Sequence, residues 1–151
     1  MLRTLTAPAA LAVGILTHGG LEPATVEAKT TVNDETELAK QMLVIQDGLR
    51  ALRRSTRDVA TYPDALATVV ECQQATLASK TEAPVKAAKV PEAERAAFVN
   101  AYRVDMIEMM EHFLKLERAL LEGADPAAVK EIYSAIKGLE DPAHEQYTED
   151  G

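Results

Sequence analysis

At 151 residues the chain is one domain's worth, and an apolar share of 47% with no tryptophan and 4% aromatics favours helix over sheet. A formal charge of −8 disfavours a nucleic-acid partner, which needs a basic face, and 26% charged residues speak against global disorder. The single cysteine, Cys72, excludes an intramolecular disulfide, zinc sites built on several cysteines, and the C-x-x-C-H pattern that attaches haem covalently.

Residues 1–28 read as a secretory signal. Arg3 gives a short positive start, Leu5 to Leu16 is mostly Ala, Leu, Val, Ile and Gly, and Val26-Glu27-Ala28 resembles a small-x-small cleavage site, with Pro23-Ala24 as a second candidate. The apolar run is short for a bilayer, and Pro8 and His18 interrupt it. The expectation is an exported, periplasmic protein with no membrane span after signal removal.

From residue 34 onward the period is helical. Asp34 and Glu37 form a D-x-x-E capping pair ahead of a first helix over 35–54. Its stripe is Leu38, Met42, Ile45, Leu49 and Leu52, and Arg50, Arg53, Arg54 and Arg57 crowd its end, where cations suit the helix dipole. Pro63 suits the first turn of a second helix over 63–80, with the stripe Leu66, Val69, Val70, Gln73 and Leu77. Residues 81–90, with Pro84 and no period, read as a loop. Pro91 opens the longest helix, 91–122, along which Phe98, Tyr102, Met106, Met109, Phe113, Leu116 and Leu120 keep three/four spacing until Gly123 stops it. Asp125-Pro126 then starts a fourth helix over 126–147, with the stripe Val129, Ile132, Tyr133, Ile136 and Leu139. Four amphipathic helices joined mostly by short turns predict an all-α fold over 34–149, an up-down-up-down antiparallel four-helix bundle.

In that topology the start of the first helix and the end of the fourth lie together. At 1.5 Å per residue Met42 stands roughly 11 Å inside one and His144 roughly 8 Å inside the other, so their levels match. Leu77, Phe98, Tyr102 and Met106 reach the same level and, with Ile45, would wall a slot between a thioether and an imidazole, a pair able to hold a haem iron. Alone, Met42 reads as a core methionine and His144 as an exposed terminal histidine. Only the pair at one bundle end gives the haem reading its weight.

The Leu-x-x-x-Met opening with its Met42, Ile45, Leu49, Leu52 stripe, Asp64-Ala65-Leu66 at the second helix, the aromatic-led third helix and the closing Ala143-His144-Glu145-Gln146-Tyr147 together resemble the cytochrome b562 family. The resemblance covers 34–149. It implies one non-covalent haem b, with Met42 and His144 as axial ligands and electron transfer as the role. An acidic surface would steer a basic redox partner. The alternative of a different class is a haem-free bundle of the same fold, acting as a periplasmic binding or structural protein. Pro142, two residues before His144, departs from the pattern: either α-helix continues past it with a kink at Gly138, or the helix ends at Lys137-Gly138 and Asp141-Pro142 starts a new turn. Glu140, Asp141 and Glu145 surround the histidine with negative charge, which does not favour haem propionates.

Other chemistries fare worse. Met106, Met109, Met110 and His112 have donor types suited to copper, but the first two fall on the buried stripe, and core packing accounts for them better. Glu108 to His112 has the wrong spacing for a di-iron Glu-x-x-His motif. Cys72 falls at the edge of its stripe and reads as half-buried. No nucleophile pattern and no glycine-rich phosphate loop supports an enzyme.

Overall fold

The computed structural model describes residues 36–148, and these are helical and strand-free: α1 (Glu37–Ser55), α2 (Tyr62–Ser79), α3 (Glu92–Leu121) and α4 (Pro126–Tyr147), with 3-10 turns at Val59–Thr61 and Val85–Lys89. The expected signal and cleavage site lie outside the described residues, as does Asp34. All four helices fall within two residues of their expected ends.

Local chemistry explains most of these boundaries. The cap of α1 is Thr36, not Asp34: its hydroxyl accepts from the Ala39 N–H at 3.1 Å, satisfying a donor the helix cannot. Asp125 caps α4 by accepting from Ala127 N–H at 2.8 Å, with Pro126 in the first turn. Gly123, at φ +64°, ends α3; the Gly123 N–H reaches Leu120 O and the Ala124 N–H reaches Ala119 O, the paired bonds of a Schellman turn. Part of the expected 81–90 loop is the turn Val85–Lys89. Pro142 does not end the last helix. α4 runs through it to Tyr147, where Thr148 closes the helix with N–H and hydroxyl bonds to His144 O.

One hydrophobic cluster draws on all four helices, with Leu52, Phe113, Leu116, Val129 and Ile136 fully buried at its centre. The stripes of α1, α3 and α4 lie where the spacing puts them. The stripe of α2 does so only in part: Val69 is buried and Leu66 packs against the core. Its buried face is Ala65, Val69, Cys72, Thr76 and Ser79, while Val70 is partly exposed and Leu77 is 54% exposed. Small side chains let α2 approach α1 closely. A Cβ built on Gly48 of α1 would lie 2.2 Å from Cys72 Sγ, so the thiol sits directly over the glycine. Cys72 is therefore fully buried rather than half-buried, and burial, helped by Glu71, pushes its thiol up to about 12.

All four tyrosines tie one element to another. Tyr62 OH donates to Ala124 O at 2.8 Å, Tyr102 OH to Ser79 O at 3.0 Å and Tyr133 OH to Leu49 O at 3.0 Å, and Tyr147 OH donates to the Asp105 carboxylate. Burial raises the pKa of each, and in Tyr147 the bond to Asp105 adds to the effect. Helices pack chiefly against their sequence neighbours, and α1 meets α4 only sparingly. Among the described residues no helix is long and apolar enough to cross a membrane.

Candidate functional site

The sparse contact between α1 and α4 leaves a cleft of about 600 Å³, within the usual size range for a small-molecule or cofactor site. The α1 stripe supplies Leu38, Met42, Ile45 and Leu49; α3 supplies Tyr102, Met106 and Met109; α4 supplies Leu139, Ala143, His144 and Tyr147. Pro84 and Val85 border it from the turn before α3. Periodicity explains why these residues converge: each belongs to, or adjoins, the apolar face its helix turns to the core.

Met42 and His144 both line this cleft. Met42 is half-buried against the core, whereas His144 is exposed on the last turns of α4, just past Pro142. Ile45, Tyr102 and Met106 line it too. Leu77 and Phe98 do not. Leu77 points away because α2 buries its small-residue face and contributes no side chain to the cleft. Phe98 is half-buried behind Tyr147, their rings edge-on with centroids 5.4 Å apart, and Tyr147 also meets Tyr102 at 5.1 Å. The aromatic wall is thus Tyr102 and Tyr147, with Phe98 bracing it from outside. Leu38, Leu49, Met109, Leu139 and Tyr147 complete the lining. All but Tyr147 lay on the expected stripes, so the stripes themselves were the signal for them.

The electrostatics are one-sided. Asp105, Glu108 and Glu140 line the cleft, and no described lysine or arginine does. Asp105 accepts from Tyr147, and Glu140 is paired with Lys137, which moderates both charges. Lys86 comes close from the neighbouring turn, but its Nζ donates to Glu145 O at 2.9 Å, satisfying a carbonyl in the last turn of α4. Of the methionines and histidine with a copper-like donor set, Met106 and Met109 face this cleft as buried core residues, while Met110 and His112 are absent from its lining.

Met42 brings a thioether and His144 an imidazole to one largely apolar cleft, and these donor types suit a haem iron. Met42 and His144 are the residues that would hold the iron. The carboxylates leave the propionates no cationic partner in the lining, so they would have to lie at the solvent edge. Comparison with family models, curated proteins and solved structures finds no match to this chain.

Proposed function

We propose that this protein is a periplasmic electron carrier that binds one non-covalent haem b between Met42 and His144. The observation that supports it most is that these two residues, about a hundred positions apart in the chain, line the same apolar cleft. We further propose an up-down-up-down antiparallel bundle. Tyr102 near the start of α3 bonding to Ser79 at the end of α2 supports it, as does Tyr147 at the end of α4 bonding to Asp105 early in α3.

When bound, a haem with histidine and methionine ligands supplies one-electron chemistry at raised potential. The chain's own residues do the rest. Leu38, Ile45, Leu49, Met106 and Met109 would exclude water from the faces of the group, and Tyr147, held by Asp105, would fix the wall beside His144. Adding hemin to the protein should give uptake of one equivalent and a sharp spectrum on reduction.

A second reading has its own support. A cleft with three carboxylates and no described cation in its lining suits an apolar ligand carrying positive charge better than a dianionic one. In that case the protein is a haem-free binding protein, and hemin addition should leave only the spectrum of free hemin.

A further inference from the structure

α3 carries a second apolar stripe on the side away from the core. Val104, Ile107, Leu114 and Leu121 are 61%, 46%, 50% and 68% exposed. With Glu111 and Arg118 they repeat at alternating spacings of three and four, which is the 3.5-residue period of a coiled-coil seam rather than chance surface scatter. The core already uses the opposite stripe of α3, from Tyr102 to Leu120, so packing among the described residues gives the second stripe no role.

The strip is wider than one helix. Gln73 Nε2 of α2 donates to Glu117 of α3 at 2.7 Å. Val70 and Leu77 stand three before and four after Gln73; Leu114 and Leu121 stand three before and four after Glu117. The hydrogen bond thus joins α2 to α3 at two residues that are each flanked by exposed apolar side chains.

Charge names the occupant. We propose that a second copy of this chain docks here, with the two α3 helices antiparallel about a twofold axis near Leu114. Residues at equal and opposite distances from Leu114 then face each other. Ile107 meets Leu121 of the other copy, Leu114 meets itself, and Glu111, opposite the Glu117 that Gln73 holds, comes within one residue's rise of Arg118. By symmetry the ion pair forms twice. Glu111 and Arg118 are both exposed and take no salt bridge within the described chain, so both are free to pair. An isologous contact needs a self-complementary surface, and this stripe is one: apolar, acidic, apolar, basic, apolar. The surface is separate from the cleft, and it stands whether or not haem binds there.

Sedimentation velocity on the full chain over a wide concentration range tests this. The mass should rise toward twice the 16.3 kDa of one chain. Leu114→Glu should hold it at one chain. Glu111→Arg alone and Arg118→Glu alone each set like charges across the axis and should raise the dissociation constant by roughly tenfold. The double reversal should restore it. All these positions are exposed, so helicity by circular dichroism should match the parent in every variant. A chain that stays monomeric at every concentration overturns the proposal, and so does a dimer indifferent to these changes or one the double reversal fails to rescue.

Discussion

Gly48 and Cys72 touch where α1 meets α2, and there is no room at Gly48 for even one more carbon: its Cβ would stand 2.2 Å from the sulfur. The helix interior would otherwise favour alanine over glycine by about 1 kcal/mol. The contact decides against it. Gly48→Ala should destabilise the protein by about 1–3 kcal/mol in denaturant unfolding, the usual cost of overpacking. Adding Cys72→Ala should recover part of that loss, because the two changes share one contact and are not additive.

The buried thiol has a pH consequence. Its folded value is raised from 9.0 to about 12 by burial, so between those values the unfolded chain releases a proton that the folded chain keeps. Stability from this group is fully present below about pH 9 and falls as pH rises toward 12. Tyr102 and Tyr147, also raised by burial, act in the same direction at still higher pH. Chemical denaturation followed across neutral to alkaline pH should show a plateau and then a decline beginning near pH 9. A maleimide or iodoacetamide should label Cys72 slowly in the native protein and rapidly once it is unfolded.

Much of this fold is legible in the residues because large apolar side chains at three/four spacing mark α1, α3 and α4, and Pro63, Pro91, Gly123 and Asp125 mark their limits. α2 misleads for a physical reason. Val70 and Leu77 extend the stripe toward one side, but close approach to Gly48 turns the smaller Ala65, Cys72, Thr76 and Ser79 inward instead. Height along the helix puts Leu77 level with the site, and height carries no information about rotation. The tyrosine bonds were invisible for another reason: each acceptor in three of the four is a backbone carbonyl on a distant element, which no local pattern reveals.

Tyr147 is the residue at the cleft with the most partners. Tyr147→Phe keeps both ring contacts and removes the bond to Asp105, and should cost about 1.5–3 kcal/mol, as expected for a hydrogen bond to a charged acceptor. Tyr133→Phe, which loses a neutral partner at Leu49 O, should cost about 1 kcal/mol. Unfolding free energies of the two variants, compared at one pH, test the order.

Pro142 deprives Gly138 O of its helical donor while α4 continues past it. Pro142→Ala restores that donor and should raise the melting temperature by several degrees, with a gain of up to about 3 kcal/mol. His144 lines the cleft with the proline in place, so the same variant should bind hemin no more tightly than the parent.

The visible spectrum of the reduced protein after hemin addition tests haem ligation most directly. Sharp low-spin bands at one equivalent are expected in the parent. Met42→Ala and His144→Ala should each lose them, and Leu77→Ala, which lies outside the cleft, should keep them. A parent that takes up no haem, or bands that survive the loss of either Met42 or His144, would contradict it.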